Sequence, residues 1–324
     1  MLTTAICKLL PRIFHLSLLF NTLTMNIALI GYGKMGKMLA ELAPLHEMNI
    51  TSIIDPNTSS NALQLQSAIQ FINAQKTPQF AEPKNSFQSI HLQNVSTSIQ
   101  PQNTAKAANA TITYPTLNAE SLKNVDAAID FSQGEVALEH IQICAENGVN
   151  LVMGTTGWYD KIDEAKKIVK SKNIGFLYAS NFSIGVQLFF KIIERAANFM
   201  NTFDEYDIFA HEFHHRQKKD SPSGTALSLG QLLIKNIDRK TQIVTEKLDR
   251  NIAPEEIHIS STRGGYVPGT HAVYFDSEAD AIEIKHTARS RKGFAIGALK
   301  AAKWLHGKKG FFTMEDWIKN IIAE

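Results

Sequence analysis

Met25-Asn26-Ile27-Ala28-Leu29-Ile30-Gly31-Tyr32-Gly33-Lys34-Met35-Gly36 decides how the chain folds. The run 26–31 is short, apolar and β-prone, as a strand buried on both faces must be. Gly31, Gly33 and Gly36 then stand in the spacing G-x-G-x-x-G, and residues 37–43 have helical character. In a strand, glycine loop and helix of this kind, the first glycine permits a tight turn. The second lets the backbone approach a pyrophosphate, and the third permits close helix–strand packing. The helix N-terminus adds free N–H groups and the positive end of its dipole. A lone glycine spacing is a weak signal. It is strengthened here by a second apolar strand, residues 50–54, that ends at Asp55. An acid about 20 residues beyond the loop accepts hydrogen bonds from the adenosine ribose. A carboxylate there repels a 2′-phosphate, and Pro56 offers no arginine to hold one. NADH is therefore the expected cofactor, with some tolerance of NADPH through Lys34 and Lys37.

Further strand–helix units follow the first. Residues 126–132 read as a strand leading to a helix over 134–147, and residues 149–153 as a strand ended by Gly154-Thr155-Thr156-Gly157. A helix over 160–171 and a strand over 174–179, ended by Ser180-Asn181-Phe182, complete the run. Strands alternating with helices imply a doubly wound parallel sheet, the Rossmann-like α/β class. Ligands of such sheets lie outside the carboxyl ends of the strands. Gly154–Thr156 and Ala179–Phe182 occupy those ends and are expected to face the nicotinamide. Beyond them the pattern changes to a helix over 184–200, a strand over 205–213 and a helix over 225–236. Strands near 256–262, 270–276 and 280–287 complete a second, mixed sheet. A helix over 293–305 is expected to return to the first sheet, with Trp304 and Leu305 in its core.

The chain has 324 residues, 44% of them hydrophobic and 20% charged, enough for about two domains of ordinary size. Thirty-three basic against 31 acidic residues give a formal charge of +2. This supplies no concentrated basic surface for nucleic acid. Two cysteines, Cys7 and Cys144, exclude a disulfide framework or a cysteine-rich zinc module. Two stretches differ from the rest. Residues 1–24 are apolar but broken by Pro11, Arg12 and His15, too short to span a bilayer and without a small-x-small cleavage site. They are expected to be a dispensable extension, or to precede a true start at Met25. Residues 57–108 are rich in Gln, Asn, Ser and Thr and contain no glycine, which marks a polar insertion. A local helix over 60–75 is compatible with its apolar groups.

The chemistry is concentrated farther on. His211-Glu212-Phe213-His214-His215 fits H-E-x-x-H, but the zinc reading needs a helix, and residues 206–211 are aromatic and β-branched. A strand followed by a loop is expected, with no metal. His214, His215 and Lys218 place three cationic or protonatable groups within five residues. Ser223-Gly224-Thr225 then opens a helix whose free N–H groups and hydroxyls suit a carboxylate. The cluster fits a small anionic substrate with one group able to donate a proton. A histidine has its ordinary pKa near 6.5 and suits that role.

Several segments together resemble the dihydrodipicolinate reductase (4-hydroxy-tetrahydrodipicolinate reductase) family: residues 31–36, 154–157, 179–185 (ASNFSIG), 212–226 (EFHHRQKKDSPSGTA), 267–270 and 283–293 (EIKHTARSRKG). The resemblance runs in order from Met25 to near the C-terminus and omits only residues 1–24 and much of 57–108. It implies reduction of a small dicarboxylate heterocycle by NADH or NADPH in diaminopimelate and lysine biosynthesis, by a cytoplasmic homotetramer with no nucleic-acid or membrane partner. It also implies His214 and Lys218 as the proton-handling catalytic residues, and His215, Gly224 and Thr225 as substrate contacts, to which the helix start adds Ser223. The implied cofactor contacts are Gly31, Tyr32, Gly33, Lys34, Met35, Gly36, Asp55, Gly154, Thr155, Thr156, Ala179, Ser180, Asn181 and Phe182. The expected division is a dinucleotide-binding domain over 25–181, a substrate-binding and oligomerisation domain over 182–289, and a segment over 290–324 returning to the first. Three other readings compete. Another NAD(P)-dependent dehydrogenase of the same layout, of aspartate-semialdehyde or homoserine type, is the first; the former type needs a reactive cysteine, and Cys144 has no basic partner nearby in sequence. A zinc hydrolase and a non-catalytic NADH-sensing module are the others. Metal content separates the one, and the dense His-His-Lys cluster speaks against the other.

Overall fold

The computed structural model describes residues 24–57 and 111–323. Apart from Thr24 and Asn57, the N-terminal extension and the polar insertion with its helix over 60–75 lie outside the described residues. In chain order the elements begin β1 (Met25–Ile30), α1 (Lys34–Leu42), β2 (Met48–Ile54), β3 (Ile112–Tyr114), β4 (Ala127–Asp130), α2 (Ala137–Glu146) and β5 (Asn150–Met153). Then come α3 (Ile162–Lys172), β6 (Gly175–Tyr178), α4 (Ile184–Met200), β7 (Asp207–His214), α5 (Gly224–Asn236), β8 (Gln242–Val244) and β9 (Glu256–Arg263). The chain closes with β10 (Thr270–Asp276), β11 (Ala281–Thr287), α6 (Lys292–Leu305), β12 (Gly310–Thr313) and α7 (Met314–Ala323).

The first sheet has the order β12-β6-β5-β4-β1-β2-β3, and every pairing in it is parallel. Its central strands show no polar alternation because helices cover both faces. Ile27, Leu29 and Ile129 pack on one side with Leu39 of α1 and with Ala295, Ala298, Leu299, Ala302 and Leu305 of α6. Ala28, Ile30, Ala128, Leu151 and Met153 pack on the other with Ile141 of α2 and Ala165 and Val169 of α3. Burying a side chain of Leu or Ile size contributes roughly 1.5–3 kcal/mol. The row along α6 therefore fastens it to the first sheet, far more than the exposed ion pair between Lys292 and Glu41 beside it. Leu305 is buried as expected, whereas Trp304 is only partly so and rests edge-on against Phe312.

The second sheet has the order β11-β10-β7-β9-β8. It is mixed: β7–β10 and β10–β11 run antiparallel, β7–β9 and β8–β9 parallel. Alternation along β7 is clean, with Ile208, Ala210, Glu212 and His214 buried and Phe209 and Phe213 exposed. The buried face packs under Phe189, Ile193 and Ala197 of α4 and Ala226, Leu229 and Leu233 of α5. The strand expected over 205–213 is displaced to Asp207–His214, so His214 belongs to the strand end rather than to a loop. The strand expected over 126–132 closes earlier, at Asp130, whose Oδ1 accepts the backbone N–H of Ser132 and starts the turn.

Candidate active site

The carboxyl edge of the first sheet carries, strand by strand, the segments after β6, β5, β4, β1 and β2: residues 179–182, 154–156, 131–132, 31–36 and Asp55. The order reverses around β1, so the glycine loop sits at the switch point where such sheets bind ligands. The three loop glycines have separate duties. Gly31 adopts φ +86°, a left-handed conformation, and a Cβ there would lie 2.5 Å from the Phe131 carbonyl oxygen. A Cβ on Gly36 would overlap the Gly31 carbonyl, so α1 packs on the loop only through glycine. A Cβ on Gly33 would meet nothing within 4 Å. That open backbone stands at the N-cap of α1, where no side chain caps the helix. A dinucleotide pyrophosphate fits this cradle. Asp55 lies beside it, accepting the N–H of Tyr32 at 2.7 Å and of Asn57 at 2.9 Å. A cavity of about 420 Å³ opens over the same edge, lined by Lys34, Met35, Phe131, Ser180, Phe182, Arg291 and Phe294.

The second half of the site hangs from the end of β7. His214 is buried, and its Nε2 sits over Gly269, where a Cβ would come within 3.0 Å. His215 begins a turn closed by the Lys218 N–H to the His215 carbonyl at 3.1 Å. The Lys218 ammonium pairs with Asp220 at 2.8 Å. Ser223 caps α5, its hydroxyl accepting the Ala226 N–H at 3.2 Å. A Cβ on Gly224 would meet nothing, so the first turn of α5 is open. Thr225 accepts a hydrogen bond from Asn181 Nδ2 at 3.5 Å. That contact bridges the loop after β6 and the N-terminus of α5.

Burial pushes the His214 imidazole down to about 4, with His271, Lys218 and Arg263 adding to the effect and Glu212 opposing it. His214 is thus neutral at pH 7 rather than poised at the ordinary histidine value. Burial alone would raise the Glu212 carboxyl. Hydrogen bonds from His271, Ser223 and Arg263 outweigh it and hold that group well below the carboxylate range. Cys144 is fully buried, and burial followed by the charge of Asp130 pushes its thiol up. A thiolate nucleophile is therefore excluded at this position.

Models of the dihydrodipicolinate reductase C-terminus and N-terminus match residues 185–318 and 85–182. The 4-hydroxy-tetrahydrodipicolinate reductase of Christiangramia forsetii is 33% identical over 297 residues, covering 92% of this chain and 99% of that protein. The chain belongs to the dihydrodipicolinate reductase family. The 4-hydroxy-tetrahydrodipicolinate reductase of Archaeoglobus fulgidus is 41% identical over 201 residues, covering 60% of this chain and 77% of that protein. In fold, the chain is similar to a dipicolinate-bound dihydrodipicolinate reductase from Paenisporosarcina sp. TG-14. That likeness has a TM-score of 0.64 at 21% identity and covers 91% of this chain and 99% of the other. An amine dehydrogenase from Mycobacterium smegmatis shares the layout at TM-score 0.54 and 11% identity, covering 88% and 93%. As a member of this reductase family, the chain is an oxidoreductase that uses a nicotinamide nucleotide.

On this family member, the residues singled out from sequence do not all present their side chains to the site. Lys34, Met35, Ser180 and Phe182 line the cavity. The Thr155 hydroxyl instead turns inward, donating to Asp130 at 2.8 Å and accepting the Ser132 N–H at 2.8 Å. Asp130 is fully buried and also meets His140 Nδ1 at 2.7 Å. Three cavity-lining residues were missed: Phe131, Arg291 and Phe294. The DFS turn at 130–132 and the basic segment 283–293 were both in view, but nothing in their spacing says that they converge. Phe131 also fixes Gly154, whose Cβ would overlap its ring. H-E-x-x-H lies on a strand, which sends His211 outward to Ser260 and Thr262 and Glu212 and His214 inward. The helical face that this zinc motif requires does not form.

Proposed function

We propose that the chain reduces 4-hydroxy-tetrahydrodipicolinate to tetrahydrodipicolinate in diaminopimelate and lysine biosynthesis. The contact from Asn181 to Thr225 carries the proposal, because it sets the cofactor edge of one sheet against the anion cradle of the other. When bound, the nicotinamide dinucleotide supplies the hydride. Gly31–Gly36 would hold its pyrophosphate, Asp55 would take its ribose, and the loops at 154–156 and 179–182 would bind its reactive half. His215, Gly224 and Thr225 hold the substrate carboxylates with helix N–H groups and a hydroxyl, while Ser223, expected beside them, turns its N–H and hydroxyl to Glu212 and supports that turn from below. Loss of water leaves a conjugated ring that takes up one hydride and one proton. Negative charge develops on the acceptor side as the hydride arrives. Lys218 is the charged donor placed to quench it. His214, neutral when the site is empty, passes protons once a dianionic substrate lies against it.

A coupled assay tests this directly: the product of the preceding synthase should support oxidation of NADH by the purified chain. Asp55 and Pro56 favour NADH, and kcat/KM should be at least several-fold higher with NADH than with NADPH. No oxidation with either would refute the reaction; a strong NADPH preference would refute the role of Asp55. The competing reading, another nicotinamide dehydrogenase of this layout, predicts turnover with a different substrate only.

The domain division proposed is 25–181 with 290–324 against 182–289, supported by the row of α6 side chains in the core of the first sheet. We further propose a homotetramer that works in the cytoplasm. Among the described residues no helix is long and apolar enough to cross a membrane. The outer face of the second sheet presents Phe209 and Phe213, 38% and 40% exposed, with Tyr274 stacked on Phe209 at 4.8 Å. An aromatic sheet face of this kind marks an association surface. Light scattering of the full chain should return a tetramer mass, and a monomer mass at micromolar concentration would rule it out.

A further inference from the structure

Glu212 is a carboxylate with no exposed surface, two residues before His214 on the same face of β7. A buried charge costs several kcal/mol unless its lone pairs are filled. Here they are filled from three elements: the cap of α5, β9 and β10. Oε1 accepts the Ser223 N–H at 2.8 Å, the Ser261 hydroxyl at 2.9 Å and Arg263 Nη2 at 2.7 Å. Oε2 accepts the Ser223 hydroxyl and lies 3.3 Å from His271 Nε2 and 3.4 Å from His214 Nδ1. Arg263 reaches on to the Asp220 carbonyl, which ties the Lys218–Asp220 turn to the same hub. Glu212, His214 and His271 also bring potential metal-ligand atoms within 4.8 Å of one another. The guanidinium on Oε1 and the serine on Oε2 already fill that carboxylate, so the cluster is a hydrogen-bond hub.

We propose that Glu212 is a positioning residue that sets the substrate-carboxylate cradle of α5 in register with His214. One carboxylate serves both: it bonds the Ser223 cap on one side, and on the other it lies 3.4 Å from His214 Nδ1, a buried atom with no hydrogen-bond partner of its own. A negative charge beside Nδ1 favours the proton on that nitrogen and leaves Nε2 as the acceptor on the Gly269 side. A hub that merely supported the fold would set neither the tautomer nor the affinity for dicarboxylates.

The inference rests on the proposed reaction, and its test separates the two. Glu212→Gln keeps the shape and removes the charge. In the full chain it should weaken binding of the planar dicarboxylate pyridine-2,6-dicarboxylate at least tenfold and leave NADH affinity within threefold. The ¹⁵N shifts of His214 at pH 7 should move from a mainly Nδ1–H tautomer towards a mixture, with no substrate present. A folded Glu212→Gln protein with wild-type dicarboxylate binding and wild-type His214 shifts would overturn the proposal. Should that variant fail to fold, Ser261→Ala removes one donor from Glu212 Oε1 and touches neither His214 nor a substrate-holding residue. It should weaken the dicarboxylate at least threefold with NADH binding intact, and unchanged binding would equally overturn the idea. Wild-type protein that binds no dicarboxylate but shows the ordered His214 tautomer would sink the reaction and not the hub.

Discussion

Lys218→Ala should lower kcat by about a hundredfold or more, with NADH affinity held within a few-fold of wild type. A positioned proton donor contributes about 10²–10⁴ in rate. The separation of effects follows from the architecture: the proposed dinucleotide cradle lies on the carboxyl edge of the first sheet, and Lys218 lies on a turn after β7 of the second. His214→Ala should fall in the same range. Burial already holds His214 neutral, so its loss removes a proton relay and not a charge on which NADH depends. The double variant should be little worse than either single one, because residues that act as one unit do not add. Stopped-flow turnover and fluorescence titration of NADH measure the two quantities apart. Near-normal kcat in both single variants would remove Lys218 and His214 from the chemistry. Equal losses in kcat and NADH affinity would show that the second sheet holds the cofactor as well.

The parallel sheet and its ligand edge were readable from sequence because their signals are local. A buried parallel strand is a short apolar run, and a glycine loop must follow it directly, so Met25–Gly36 carries its own context. The strands without a sequence signal are three or four residues long. Ile112–Tyr114, Gln242–Val244 and Gly310–Thr313 show no period of their own and exist because a neighbour's edge receives them. In β12 the register runs from Gly310 beside Gly175 to Thr313 beside Tyr178, more than a hundred residues away in sequence. The candidate site divides in the same way. The cluster from His214 to Thr225 lies within a dozen residues and could be read as a unit. The hub beneath it could not, because Glu212, Arg263 and His271 come from three strands and meet only through the β7–β9 and β7–β10 pairings. In sequence, Glu212 stands out only as part of a zinc motif. Strand geometry decides between the roles, since alternation turns His211 away from the face that Glu212 and His214 share.

Gly297→Ala should destabilise the protein by about 2–4 kcal/mol, against the sign that helix propensity alone would give. In an isolated helix, replacing glycine by alanine gains about 1 kcal/mol. Gly297 lies inside α6, and a Cβ there would overlap the carbonyl of Phe182. That carbonyl is main chain between β6 and α4, and the Phe182 ring is buried edge-on against Phe131, 5.9 Å between centroids. A flexible side-chain tip could swing away from the new methyl, but this backbone can yield only by shifting the loop or lifting the helix. Overpacking a core costs about 1–3 kcal/mol, and more where backbone must move. Gly293→Ala, in the first turn of the same helix, is the control. Its Cβ would meet only Ser183 Oγ at 3.7 Å, an ordinary contact, so the propensity gain should survive as neutral or slightly positive stability. Urea unfolding of the two variants beside wild type measures both signs. The strain at Gly297 should also reach the cofactor, because the loop over 179–182 lines the same cavity as Lys34 and Met35. NADH binding should therefore weaken in Gly297→Ala at temperatures where the protein remains folded. A Gly297→Ala protein as stable as the Gly293→Ala one would mean that the approach of α6 to Phe182 is loose, and that α6 does not fix the loop at the nicotinamide end.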